Sequence, residues 1–391
     1  MAVWITRRPD DEVATELTAS RGPLAGVRLA VKDNVNVAGL PTTAACPEFA
    51  YTPDRDAAAV AALRAAGAVV VGKTNLDQFA TGLVGTRSPY GAVPDIRRRE
   101  YISGGSSSGS AVAVAKGEAD IAVGTDTAGS GRVPAGLQGI VGIKPTVGVI
   151  STDGVVRASE SYYCVTIFAP FLEPANRAMA VMAAGASGRA WPADVRLAAP
   201  PNPVVAVPSE LPELDRDWRA AFDAAVDVLV EAGARIVTVD MGIYTNFCNL
   251  FDLCAVAVPA GTAAQAQFGI TVLARAFADA PALDIAALAT GSQAPLDVWP
   301  PAAAGPVELV VFGAHMRGGP LVHQLTELGA RWAGEITTAP RYRMSVLPTT
   351  PAKPAVTRVP DGAPGTALLG HRWPLSPAAL GRFLAGLPAP M

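Results

Sequence analysis

Apolar and polar positions along the first half of the chain repeat in an order that reads strand, helix, strand. Val27-Arg28-Leu29-Ala30-Val31 alternates with period two, which predicts a strand ending at Lys32-Asp33-Asn34. Asp56 stands where a cap is wanted ahead of the Ala-rich run Ala57 to Ala66, Gly67 stops that helix, and Val69-Val70-Val71 reads as a buried strand. A second cycle comes next: a Gly/Ser-rich loop over Gly104 to Ser108, a helix of small residues from about Gly109 to Lys116, and a strand from Ile121 to Thr125. The turn Thr127 to Gly131 then leads into Arg132-Val133-Pro134-Ala135. From Asp215 to Gly233 the spacing is helical, with Trp218, Phe222, Val226 and Leu229 on one face, and it feeds a strand from Arg235 to Val239. This alternation predicts an α/β fold with a mixed, mostly parallel sheet flanked by helices. The Pro/Ala-rich residues 292–305 read as a linker, so the expected units are 1–295 and 306–391, the second a small α+β domain opening with the strand-like Val307 to Phe312.

Composition narrows the class. Hydrophobic residues make up 50% of the 391 and charged residues 17%, too apolar a balance for a disordered chain. No apolar run approaches the ~20 residues of a membrane helix, and Met1 to Asp10 lacks the basic start and apolar core of a secretory leader. A soluble, cytoplasmic protein is expected, with no membrane partner. Cys46, Cys164, Cys248 and Cys254 form no C-x-x-C pair and read as reduced thiols. A net charge of −3 argues against a nucleic-acid partner, and the one basic run, Arg97-Arg98-Arg99, reads as a solvated loop. Histidine usage excludes most: His315, His323 and His371 are the only three, so no Ser-His-Asp or Cys-His arrangement can be built within the first 314 residues. A zinc site there is equally disfavoured, and neither metal nor cofactor is expected.

One motif is a decoy. Gly67 to Thr74 satisfies the phosphate-loop pattern G-x-x-x-x-G-K-[ST] letter for letter, yet a helix precedes Gly67 and the residues between the glycines are themselves a strand. A β-branched run cannot wrap its amides around a phosphate.

Three other elements fall in order: Lys32 at a strand end, Ser106 in Gly104-Gly105-Ser106-Ser107-Ser108-Gly109-Ser110, and Ser130 in Thr125 to Arg132, 24 residues beyond Ser106. A serine hydroxyl is a poor nucleophile until a base takes its proton. With no histidine at hand, the base this pattern offers is a lysine whose burial makes the neutral amine accessible. A second serine between the two can relay the proton in both directions. Successive amides from Thr127 to Ser130, freed by glycine, would form a nest for a developing oxyanion.

At these residues the chain resembles the amidase signature family, whose pattern runs V-K-D-N, then G-G-S-S-x-G-S, then T-D-x-G-G-S-x-R-x-P. The resemblance implies that Lys32 is the base, Ser106 the bridging serine with a cis peptide, and Ser130 the acylated nucleophile. It also implies an oxyanion hole from the backbone amides of Thr127, Ala128, Gly129 and Ser130, and an Asp126–Arg132 pair that holds the loop. The Thr127-Ala128-Gly129-Ser130-Gly131-Arg132 variant, with Gly39 to Pro47, Gly72 to Gly82 and Tyr244 to Leu253, is most similar to the allophanate hydrolase branch. Gly313 to Met316, Val322 to Leu325 and Thr338 to Arg343 look like that branch's C-terminal domain. By the same resemblance the implied reaction is cleavage of a small-molecule amide, allophanate, with release of ammonia in urea breakdown. It further implies a decarboxylation step in the C-terminal domain, for which His323 is the matching residue. A homodimer is left open.

The chain also departs from that pattern. Val239-Asp240-Met241 passes at once to Gly242-Ile243-Tyr244, where the family runs through a helical segment and a further core strand, and the C-terminal unit stops early at Met391. Tyr163 stands where the family has an acid. A catalytically impaired remnant acting as a binding module, another small-amide amidase, and the glutaminase subunit of a tRNA amidotransferase therefore stay as alternatives.

Overall fold

The structure, a computed structural model, describes residues 3–185, 188–240, 245–292, 299, 305–348 and 353–387. The junction at 241–244 and most of the 292–305 linker lie outside the described residues. The chain divides into two units, Met1–Trp191 with Asn202–Ala303, and Pro192–Pro201 with Ala304–Met391.

In the first unit, strands β1 (Trp4–Arg7), β2 (Arg28–Lys32), β3 (Val69–Thr74), β4 (Ile121–Asp126), β5 (Val141–Lys144) and β6 (Cys164–Ala169) join β9 (Leu253–Ala263) and β10 (Ala266–Arg275) in one eight-stranded sheet, ordered β1-β3-β2-β4-β6-β5-β9-β10. β7 (Val204–Pro208) and β8 (Arg235–Val239) form a separate parallel pair. The large sheet is mixed, as expected of this α/β class, but the expectation of mostly parallel pairing needs correction. β2 runs parallel to β3 and β4, while every other neighbouring pair is antiparallel. Crossover helices carry the chain between β2, β3 and β4, which enforces parallel pairing there. Later β6 inserts antiparallel between β4 and β5, and β9 and β10 are a hairpin. Its two turn residues, Ala264 and Gln265, both have positive φ (47° and 67°), as a primed two-residue turn demands.

Alternating side chains divide the core between the two faces of the sheet. Leu29, Val31, Ile121, Val123, Ile143 and Ile167 pack toward α2 (Ala58–Ala65), α5 (Leu172–Ala183) and α8 (Asp279–Ala289). Ala30, Val71, Ala122 and Phe168 pack toward α3 (Ser108–Ala115), whose small residues let it lie close against the strands, and Val13 of α1 (Asp10–Ala19) joins the same cluster. Asp56 does not cap α2. It accepts from the Ala38 amide at 2.8 Å and from Arg64 at 3.0 Å, and Ala57 stands at the cap position without a side-chain bond. Asp215 does cap α6 (Arg216–Glu231), accepting from the Trp218 amide at 3.0 Å. The phosphate-loop look-alike is β3 itself: Val69 to Thr74 is one buried strand, and Lys73 Nζ is committed to the Pro41 carbonyl at 3.0 Å and Thr42 Oγ1 at 2.9 Å. Arg98 of the basic run is tied down, its guanidinium 3.8 Å from the Tyr101 ring centre and 2.7 Å from the Ala264 carbonyl.

The second unit holds an antiparallel sheet of β11 (Val307–Val311), β15 (Leu369–Leu375) and β12 (Glu335–Thr337), a hairpin of β13 (Tyr342–Leu347) and β14 (Lys353–Arg358), and the helix Pro377–Ala385. Val311, Leu325, Trp373, Leu375 and Phe383 are its core. Residues 192–201, which the sequence places in the first unit, count with this one. The Leu197 amide donates to Gly329, Arg331 Nε donates to the Leu197 carbonyl at 2.7 Å, and the Ala378 amide donates to Ala193. Among the described residues no helix is long and apolar enough to cross a membrane.

Candidate active site

The adjacent, parallel strands β2 and β4 end side by side, and the chain emerging from them builds the site. Lys32, the last residue of β2, has no exposure to solvent. Its Nζ lies 2.7 Å from Ser106 Oγ and 2.7 Å from Thr125 Oγ1 near the end of β4. Burial pulls the amine down from 10.5 to about 7, against the fields of Asp77 and Asp126, which favour the charged form. Ser106 follows a cis peptide from Gly105 and sits in the loop that opens α3.

Ser130 is buried on the turn between β4 and α4 (Val133–Gln138), and its Oγ faces the Gly82 carbonyl at 3.5 Å. Thus Lys32 and Ser106 are hydrogen-bonded, whereas no hydrogen bond joins Ser106 to Ser130 among the described residues. The turn is shaped by Asp126, which accepts from the Gly129 amide at 3.0 Å, the Gly131 amide at 2.9 Å, and Arg132 Nε and Nη2 at 3.0 Å each. Burial works to raise the Asp126 carboxyl, but the Arg132 charge and these bonds outweigh it and hold the group below its ordinary range. One expectation changes here. The Gly129 amide is turned onto Asp126, so the nest is left with the amides of Thr127, Ala128 and Ser130. Gly129 itself is required, because its φ is 132° and an added Cβ would run into the Thr245 hydroxyl.

Several groups at the site carry no mark in the sequence. Arg132 also donates to the Thr245 carbonyl at 3.0 Å and to Asn249 Oδ1 at 2.8 Å, and Asn249 Nδ2, on the short helix α7 (Phe247–Leu250), returns to the Asp126 carbonyl at 3.1 Å. These residues lie more than 110 positions away, so only the family-like Tyr244 to Leu253 stretch hints at them. Asp77 holds the facing loop by accepting from the amides of Gly85 at 3.0 Å and Arg87 at 2.8 Å. Thr125 is readable only as the last letter before Asp126, yet it is a direct partner of Lys32.

In the second unit His323 is exposed, with Nδ1 3.1 Å from the Pro320 carbonyl, while His371 is buried and accepts from the Arg317 amide at 2.8 Å. Among the described residues no group of three or more His, Cys, Asp or Glu side chains is placed to hold a metal ion.

A buried lysine hydrogen-bonded to a serine, at the end of a strand beside the one that leads into the Ser130 turn, is an arrangement suited to amide cleavage, and comparison with known proteins gives the family. Residues 2–279 match the Amidase family and residues 307–391 match the allophanate hydrolase C-terminal domain, so the chain belongs to the amidase family of amide-hydrolysing enzymes. Among its relatives is a urea amidolyase of Lachancea kluyveri, 33% identical over 94% of this chain but only 27% of that protein. A glutamyl-tRNA(Gln) amidotransferase polypeptide of Natronomonas pharaonis is 40% identical over 56% of this chain and 55% of its own length. The solved allophanate hydrolase of Kluyveromyces lactis superimposes with a TM-score of 0.84 at 31% identity, covering 99% of this chain and 86% of that one. The chain thus spans about a quarter of the length of the urea amidolyase it matches.

Proposed function

We propose that the chain hydrolyses allophanate, with Ser130 as nucleophile, Ser106 as proton relay and Lys32 as base. The observation that carries this reading is the fully buried Lys32 amine, held 2.7 Å from Ser106 Oγ and titrating near neutrality. Ser130 Oγ leaves the Gly82 carbonyl and turns to Ser106 as it attacks the substrate carbonyl. Its proton passes to Ser106 as the Ser106 proton moves to Lys32. Negative charge on the carbonyl oxygen is met by the amides of Thr127, Ala128 and Ser130. Collapse returns the proton along the same path to the leaving nitrogen and releases ammonia, and water then cleaves the acyl-enzyme by the same relay. The carboxylated product loses carbon dioxide, as urea breakdown requires. We assign the second unit, with His323, to that loss.

Ammonia release from allophanate by the folded chain, lost in Ser130→Ala, is the test. No release by wild-type protein between pH 7 and pH 10 refutes the reading and leaves the remnant alternative. Release from glutamine instead of allophanate moves the assignment to the amidotransferase-type glutaminase. For His323→Asn the expected result is unchanged ammonia release at Ser130 with slower carbon dioxide evolution.

A further inference from the structure

Behind the lysine lies a hydrogen-bond chain that the mechanism above does not use. Asn34 Nδ2 donates to the Val156 carbonyl at 2.8 Å and to the Tyr163 hydroxyl at 2.6 Å, while Tyr163 Oη lies 3.0 Å from Thr125 Oγ1. All three side chains are buried, and Asn34 Oδ1 has no hydrogen-bond partner among the described residues.

The direction of this chain is fixed by chemistry. A carbonyl only accepts, so the Asn34 amide cannot flip without setting two oxygens against each other at Val156. Its second N–H therefore enters Tyr163 Oη. That leaves the Tyr163 proton one partner, Thr125 Oγ1. We propose that Tyr163 is a positioning residue for Lys32: by donating into Thr125 it occupies one of the two lone pairs with which that hydroxyl could serve an ammonium, so Thr125 still accepts from the Lys32 amine but solvates its charged form less well, and the single lone pair of the neutral amine is left to Ser106. This favours neutral Lys32. A carboxylate in the same place would do the opposite. It would accept the Thr125 proton, turn both lone pairs of that oxygen toward Lys32, and add a negative charge behind it.

The other groups around Lys32 do not duplicate this role. Asp77 and Asp126 both favour the charged amine. On β3, Lys73 is paired with Asp33 at 3.5 Å. The helix α3 carries no ionisable side chain, and Cys164 of β6 is a thiol whose burial pushes it up to about 11. Burial also holds the Tyr163 phenol well above its ordinary value, so it remains a donor.

This inference rests on Lys32 being the base, and the test separates the two. The rate at which a fluorophosphonate labels Ser130 is measured from pH 5.5 to pH 10 for wild type, Tyr163→Phe and Tyr163→Asp, with labelling located by mass spectrometry. Wild type is expected to rise with a midpoint near 7. Tyr163→Asp is expected to move the midpoint up by about one pH unit, so that labelling at pH 7 falls roughly five- to tenfold while the alkaline plateau is retained. Tyr163→Phe, which removes the bond donated to Thr125 together with the one accepted from Asn34 but adds no charge, moves it in the same direction by a smaller step. A Tyr163→Asp profile that overlays the wild type overturns the proposal. If that variant does not fold, an unmoved midpoint in Tyr163→Phe overturns it equally. Wild-type protein that is never labelled refutes the base-catalysed reading itself.

Discussion

Replacing Lys32 with methionine tests the neutral lysine without relying on activity. In the native chain the amine titrates at about 7, and once unfolded it returns to 10.5. Between these values the unfolded chain binds a proton that the folded chain does not, so stability rises with pH by about 1.36 kcal/mol per pH unit. The full penalty, on the order of 5 kcal/mol, is present below pH 7 and vanishes as pH passes 10.5. Lys32→Met has no such group. It loses the bonds to Ser106 and Thr125, but that loss is a constant offset and leaves the slope untouched. Urea unfolding of both proteins at several pH values from 6 to 9.5 is the assay. From pH 9 down to pH 7 the variant should gain about 2.3 kcal/mol relative to wild type, and the gap should level off by about pH 6. Lys73, which burial lowers to about 8, titrates in both proteins and cancels in the difference. Parallel stability curves across the whole range would mean that Lys32 stays charged when folded, and the base-catalysed mechanism would fall with it.

The turn that carries Ser130 yields two further outcomes. Arg132→Met strands the buried Asp126 carboxylate, and unfolding measurements should show a loss of about 3–5 kcal/mol, partly recovered in the Asp126→Asn/Arg132→Met double variant. Gly129→Ala forces a Cβ onto the Thr245 hydroxyl at a φ that alanine resists; labelling of Ser130 should slow at least tenfold, with partial recovery when Thr245→Ala is added.

What the sequence made legible was set by local chemistry. Lys32 could be placed because an alternating strand ends on it, and the two serines because glycines crowd around them. The β9–β10 hairpin was not visible, since Ala264-Gln265 offers none of the Gly, Asn or Asp that normally announce a primed turn. With that hairpin unseen and β6 inserting out of order, the sheet read as more parallel than it is. Asp56 met the cap rule by type but spends its carboxylate on Ala38 and Arg64. Thr245 and Asn249 reach the site through tertiary packing alone, and no spacing rule links them to Arg132. The Gly129 amide departs from its expected place for a related reason: the sequence shows which amides glycine frees, not which of them a neighbouring carboxylate claims.

The strap 192–201 bears on how this polypeptide can be cut or rebuilt. Its backbone supplies acceptors to Arg331 and Ala378 and a donor to Gly329, yet it is encoded in the middle of the other unit. The chain therefore passes between its two modules three times, not once. A gene boundary drawn at residue 305 would leave the C-terminal module without ten residues of its own and the other module with an unpartnered loop. Recombination or truncation at that point exchanges incomplete pieces, so a shortened variant must carry 192–201 along, grafted or in trans, to be whole.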